Sequence, residues 1–295
     1  MSGHVRISRR SMMQRSTLAL SSMAFGSVLG HAAPGAAPAR GFRIGACDWS
    51  LEKGGDLGAF AVAKELGLDG VQVSLGSADN DMQLRRPEIQ QAYLAEAERQ
   101  GVAIASLAIG ELNNIPYKSD PRAEEWVRDS IDVCKALKVQ VVLLAFFGNG
   151  DLRDDAAGVD VVVERLKKVA PKAQEAGVYL AIESWLSGPQ HVEIIDRVGS
   201  PNVKVYYDLG NSHLRGYDIY QEIRDLGSGL ICEFHAKDYD SLFGQGKVDF
   251  VRAREAMDAI GYSGWIQIEG AKPLGMMDSY KADLKYLKEV FPPKV

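Results

Sequence analysis

From residue 41 onward, short apolar runs rich in β-branched residues alternate with amphipathic stretches of helical period. The strand-like runs are 42–47 (FRIGAC), 70–75 (GVQVSL), 102–109 (VAIASLAI), 139–146 (VQVVLLAF), 178–183 (VYLAIE), 203–208 (VKVYYD), 230–237 (LICEFHAK) and 265–269 (WIQIE). Between them lie LGAFAVAKELG, PEIQQAYLAEAERQG, PRAEEWVRDSIDVCKALK, VVVERLKKVAPKAQEAG and FVRAREAMDAIG, several opening on Pro or Asp and closing at Gly, which is how helices begin and end. Strand and helix alternating about every 25 to 35 residues predict a parallel sheet with crossover helices. Eight such units in one chain predict closure into a (β/α)8 TIM barrel, a single α/β domain spanning 40–295. An open doubly wound sheet with a phosphate loop fits less well, because the first strand runs into Cys47-Asp48-Trp49-Ser50 rather than G-x-G-x-x-G.

Residues 1–39 follow another pattern. A basic start, the modest apolar run Ser16–Gly30 and a small-residue tract from Ala32 to Ala39 containing Pro34 and Pro38 form the layout of a cleaved export signal and linker. Ser8-Arg9-Arg10-Ser11-Met12-Met13-Gln14 resembles the twin-arginine signal, with methionines at the usual Phe-Leu and Gln14 at the usual Lys. The expectation is a periplasmic or secreted protein exported by the twin-arginine route. The apolar run is shorter than the ~20 residues that span a bilayer, so no stable membrane anchor is expected.

The net charge is −5, and residues 1–33 supply four arginines and no acid, so the remainder carries −9. That balance disfavours a phosphate-backbone partner, and no nucleic acid is expected. Cys47, Cys134 and Cys232 have no C-x-x-C spacing and indicate no disulfide framework. A homo-oligomer is compatible with the sequence, which does not specify it.

Chemistry concentrates at strand ends. Glu183, Asp208, His235 and Glu269 stand at or near the ends of runs five to eight, separated by 25, 27 and 34 residues, one strand–helix unit each. An acid after a strand is often the N-cap of the next helix, and a lone strand His is often a satisfied core residue. Four such groups on four successive strands, however, converge on one rim when the barrel closes, and a divalent cation removes the like-charge conflict. Three carboxylates with one imidazole favour one ion of Mn²⁺, with Mg²⁺, Co²⁺ or open-site Zn²⁺ as alternatives.

The segments AIES at Glu183, YYDLGNSH (206–213), FHAKD (234–238), FGQGKVDF (243–250) and GWIQIEG (264–270) resemble the xylose isomerase-like barrel superfamily, in its sugar phosphate isomerase/epimerase branch, which includes ketose 3-epimerases. The resemblance covers about Phe42 to Phe291. It implies that Glu183, Asp208, His235 and Glu269 hold the metal, and that Glu183 and Glu269 double as the acid/base pair moving a proton next to a sugar carbonyl by way of a metal-stabilised enediolate. More distant endonuclease IV-like relatives add histidines for a three-zinc cluster; here Ser74, Leu107 and Asn211 occupy those places, against a trinuclear site.

Around this set, Lys237 is expected to point inward with His235 by strand alternation, to bind a substrate oxygen or pair with a rim acid. His213 and Asn211, in the loop after Asp208, are candidates for substrate contact, and Trp49 for stacking on a sugar face. Alternation also places Glu233 and Gln267 inside the barrel beneath the metal, with Lys204 inward and paired to Glu233. The substrate expected is a small carbohydrate, unphosphorylated because sugar phosphates stay mostly in the cytoplasm. Two other functions compete: an exported 3-keto-glycoside lyase or hydratase using the same metal, and a non-catalytic sugar-binding pseudoenzyme.

Overall fold

A computed structural model describes residues 41–292; the expected export signal lies outside them. In chain order the principal elements are β1 (Arg43–Cys47), α1 (Gly58–Leu66), β2 (Gly70–Ser74), α2 (Pro87–Gln100), β3 (Ala103–Ile109), α3 (Pro121–Leu137), β4 (Val141–Phe146), α4 (Ala156–Ala176), β5 (Tyr179–Ser184), α5 (Gly188–Val198), β6 (Val203–Asp208), α6 (Leu209–Leu214), α7 (Ile219–Leu230), β7 (Ile231–Ala236), α8 (Phe250–Ala259), β8 (Trp265–Ile268) and α9 (Met276–Val290). The strands are parallel, pair in chain order, and close where β8 returns to β1. Each expected strand is present, its ends within two residues of those read from the apolar pattern. The helix punctuation also holds: Pro87 and Pro121 open α2 and α3, while Gly67, Gly101 and Gly177 end α1, α2 and α4 in the left-handed conformation that spares a glycine.

The outward-facing strand residues, such as Val71, Val73, Val203, Val205 and Phe234, pack under the helices in one continuous apolar core. Inside the barrel the filling divides. Ala108, Val141, Leu143, Ala145, Ala181 and Tyr206, from β3 to β6, make an apolar half. The β7–β8–β1–β2 side contributes Glu233, His235, Gln267, Cys47 and Gln72, all buried.

Two register shifts shape this polar half. Val71 pairs with Ile104 but Gln72 with Ser106, and Val205 pairs with Ile231 but Tyr206 with Glu233. Each shift skips one residue, Ala105 or Cys232, as a bulge does. The result brings Ser106 to Glu233, its hydroxyl donating to Oε1 at 2.8 Å. Tyr206 Oη and Gln267 Nε2 donate to the same oxygen at 3.0 and 2.8 Å.

Glu233 and Gln267 thus lie inside as expected, but the Lys204–Glu233 pair does not form. Lys204 donates instead to the Gly229 carbonyl and sits 5.5 Å from the Tyr179 ring centroid. Hydroxyl and amide donors already satisfy Glu233, so the ammonium is left near solvent at no desolvation cost. Cys134 and Cys232 are free thiols on α3 and β7, and no disulfide joins the described cysteines.

Just beyond β5, His191 of α5 is buried between Ser184 Oγ, 2.9 Å from Nε2, and the Ser187 carbonyl, 3.0 Å from Nδ1. Burial pushes its pKa down to about 4. A histidine depressed in the native state contributes stability present above its unfolded pKa of about 6.5 and lost as pH falls toward the folded value. Urea unfolding at pH 5 and pH 7.5 is expected to show about 2 kcal/mol of acid loss from this group. In His191→Gln that increment should vanish; an unchanged difference would remove His191 as its source.

Candidate metal and substrate site

Glu183 is the penultimate residue of β5, Asp208 the last of β6 and His235 the penultimate of β7, while Glu269 follows β8 directly. Register gathers them: Asp208 pairs with His235, and His235 with Gln267, two residues before Glu269. One potential ligand atom of each lies within 4.8 Å of the others. His235 Nδ1 faces all three acids, 2.8 Å from Glu183 Oε1, 3.6 Å from Glu269 Oε2 and 3.8 Å from Asp208 Oδ2.

Asp208 serves two functions at once. Its Oδ1 caps α6 by accepting from the Asn211 N–H at 2.8 Å, while Oδ2 faces the cluster. Gly210 makes this turn possible, because a Cβ there would stand 2.8 Å from Cβ, Cγ and O of Lys237.

Burial raises the Glu183 pKa to about 7, with His235 pulling it down and the neighbouring acids adding to the rise. Burial alone would raise Asp208 as well, but Lys237, His235 and the Asn211 N–H outweigh it and its pKa is lowered. His235 is raised despite its burial by the negative charges that face it, those of Glu183 and Glu269. Three buried or half-buried carboxylates and one ring nitrogen on a common point are the donor set of a hard or borderline divalent cation, and these residues fit one.

A hydrogen-bond chain beneath the cluster selects the ring nitrogen. Tyr206 and Ser106 donate their hydroxyl protons to Glu233, so each has only lone pairs to offer Gln72, whose Nε2 donates to both at 3.1 Å. That orients Gln72 Oε1 toward His235 Nε2, 2.9 Å away, and an acceptor there requires Nε2 to carry the proton. In the neutral ring the Nδ1 lone pair is thereby left for a cation. Cys47 Sγ also lies 3.3 Å from Nε2, but burial pushes its thiol up to about 12, so it stays neutral.

Lys237 Nζ donates to Glu269 Oε2 at 2.8 Å and lies 3.7 Å from Asp208 Oδ2, joining the acids rather than standing free. Trp49 lines the cavity, and its indole N–H donates to Glu269 Oε1 at 2.9 Å, an anchoring contact that sequence reading missed. Asp48 fixes the loop carrying Trp49, accepting from Ser74 N, Ser74 Oγ and Gly55 N at 2.8, 2.6 and 3.0 Å. Trp49→Phe keeps the ring and deletes this donor; about a tenfold loss of metal affinity or turnover is expected, read by metal titration and initial rates.

Asn211 Nδ2 donates to Asp208 Oδ2 at 2.7 Å, and its Oδ1 accepts from Tyr239. His213, expected in a loop, lies instead in the short helix α6 and does not line the cavity. Capping by Asp208 winds these residues into a helical turn that the strand pattern alone does not announce.

The cavity above the cluster has a volume of about 500 Å³. Its polar lining comes from Glu183, Glu269, Lys237, Asn211, Tyr239, Ser74 and Asn113, and its apolar and aromatic lining from Leu143, Ala145, Phe147, Trp185 and Trp49. A larger cavity of about 660 Å³ opens at the other end of the barrel, around Arg43, Lys204 and Trp265. It contains none of the four clustered groups, and the chemistry selects the smaller one.

Comparison with known proteins agrees with this geometry. The family described as Xylose isomerase-like TIM barrel matches residues 60–290. A 2-epi-5-epi-valiolone 7-phosphate 2-epimerase of Actinoplanes sp. is 25% identical over 197 residues, covering 66% of this chain and 72% of that protein. The L-ribulose-5-phosphate 3-epimerase UlaE of Escherichia coli K12 is 28% identical over 230 residues, covering 70% and 79%. Among solved structures, a D-psicose 3-epimerase crystallised in the presence of D-fructose aligns with a TM-score of 0.71 at 16% identity, over 85% of this chain and 99% of the other. The 3-keto-D-glucoside 4-epimerase YcjR from E. coli aligns at 0.70 and 15% identity, over 84% and 99%. The structural likenesses establish the fold.

Proposed function

Because the chain belongs to the xylose isomerase-like TIM barrel family, we propose that it is a divalent-metal-dependent sugar isomerase of the epimerase or aldose–ketose type. The observation that carries this reading is the convergence of Glu183, Asp208, His235 and Glu269 within 4.8 Å at the rim where barrel enzymes keep their reaction site. The relatives named above are epimerases, one of them acting on a sugar phosphate, which supports an isomerase.

Asp208 Oδ2, His235 Nδ1 and one oxygen from each glutamate would hold the cation, with Mn²⁺ favoured by the oxygen-rich set. When bound, such a cation polarises a carbonyl and stabilises the negative charge that develops when the neighbouring C–H is broken. The chain's own residues do the rest. Glu183 and Glu269 both reach the cavity, one taking the proton from the carbon beside the carbonyl and the other returning one. Trp49 and Lys237 fix both oxygens of Glu269 and so set the direction of its lone pairs. The aromatic wall of Phe147 and Trp185, with ring centroids 5.1 Å apart, packs the sugar and excludes water. The arginine pair and apolar run of residues 1–39 support export as part of this reading.

The test is incubation of Mn²⁺-loaded protein with ketoses and keto-glycosides in D₂O. Deuterium entering the carbon next to the carbonyl, with the carbon skeleton intact, is the expected outcome. An unsaturated product would transfer the assignment to the lyase, since the same proton abstraction permits β-elimination. Binding without deuterium uptake or product would leave a sugar-binding protein.

A further inference from the structure

We infer that the substrate of this site is uncharged: a free ketose or neutral keto-glycoside rather than a phosphate ester or a sugar acid. The inference rests on the isomerase reading and narrows it to a class of molecule. Among the described residues lining the cavity, Lys237 supplies the one cationic side chain, and it is committed, 2.8 Å from Glu269 and 3.7 Å from Asp208. Three carboxylates set against one ammonium and one divalent cation leave no surplus positive charge for a dianion.

The rest of the lining offers no further cation. Leu143, Ala145 and Phe147 are apolar, Ser74, Asn113, Gly76 and Gly110 are neutral, and Trp185 presents an aromatic ring and an unpartnered indole N–H, a single neutral donor. Phosphate sites are built from arginine forks, lysines or free backbone N–H groups at a helix start. Here the Asn211 N–H at the start of α6 is already taken by Asp208 Oδ1. Other cations are engaged elsewhere: Arg153 holds both oxygens of Asp151, Lys272 pairs with Glu52 at 3.0 Å, and Arg215 stacks 5.5 Å from the Trp185 centroid, and none of the three lines the cavity. An apolar and aromatic wall suits the C–H faces of a neutral sugar, whose hydroxyls reach the polar side.

Two of the relatives carry a phosphate in the substrate of their name, so the distinction separates this chain from them. The experiment is calorimetric titration of the Mn²⁺-loaded protein with matched pairs: D-fructose against D-fructose 6-phosphate, and L-ribulose against L-ribulose 5-phosphate, together with a neutral 3-keto-glucoside. Binding of at least one neutral ligand, with any phosphate ester tenfold weaker or more, is the expected result. A phosphate ester binding as tightly as its free sugar, or more tightly, overturns the inference while leaving the isomerase reading intact. Failure of every ligand to bind removes both.

Discussion

Glu269→Gln is expected to lose proton exchange for one epimer of the substrate and keep it for the other. In a two-carboxylate site each acid serves one face of the reacting carbon, so deleting one base silences abstraction from the epimer whose C–H points toward it. Interconversion of epimers needs both acids and should fall by about 10²–10⁴-fold. Glu183→Gln should give the mirror result, exchange surviving only for the opposite epimer. Glutamine preserves shape but keeps one acceptor, so of the two donors that Glu269 satisfies, the Trp49 indole and the Lys237 ammonium, one loses its partner. Both residues also belong to the metal cluster, so rates are compared at saturating Mn²⁺ with metal content measured alongside. Exchange by both variants at the wild-type rate, with metal bound, would eliminate the acid/base pair.

The barrel was legible because its evidence is repeated eight times: a buried parallel strand is an apolar run whatever its neighbours, and β1 to β8 all surface in the pattern. The convergence of Glu183, Asp208, His235 and Glu269 was legible for a related reason, since one ionisable group per strand end is a spacing that closure turns into proximity. What escaped was chemistry carried by neutral groups and set by register. Gln72 has no titrating group to draw attention, and its contact with His235 spans 163 positions in sequence. The Lys204–Glu233 pair failed because alternation specifies direction and not depth: Lys204 lies near the start of β6, and the bulge at Cys232 gives Glu233 to Ser106, Tyr206 and Gln267. Trp49 was read as a stacking ring because its N–H partner, Glu269, is brought to it only when β8 closes on β1. Phe147 and Trp185 sit in loops after β4 and β5, where apolar residues carry no periodicity to mark them.

Gln72→Leu is expected to weaken Mn²⁺ binding by about 10–100-fold without touching a ligand. In the wild type, Glu233 holds the hydroxyls of Tyr206 and Ser106, those hydroxyls orient the Gln72 amide, and the amide oxygen holds the proton of His235 on Nε2. Leucine removes the acceptor at the last link. The ring is then free to carry its proton on Nδ1, where it competes directly with the cation, and ring rotation is no longer restrained. Gln72→Glu retains an acceptor facing Nε2 and should recover most of the affinity, although its second oxygen must be protonated to donate to Tyr206 or Ser106. The two variants separate a positioning role from a packing one: both disturb the buried network, at about 1–3 kcal/mol for a lost partner, but only leucine should change the tautomer. Nitrogen NMR of the metal-free protein reads that directly at a pH above the raised pKa of His235, where the neutral ring is expected as the Nε2–H form in wild type and Gln72→Glu and as a mixture in Gln72→Leu. Equal metal affinities for wild type and Gln72→Leu would show that the carboxylates alone hold the cation and that the chain under His235 is structural.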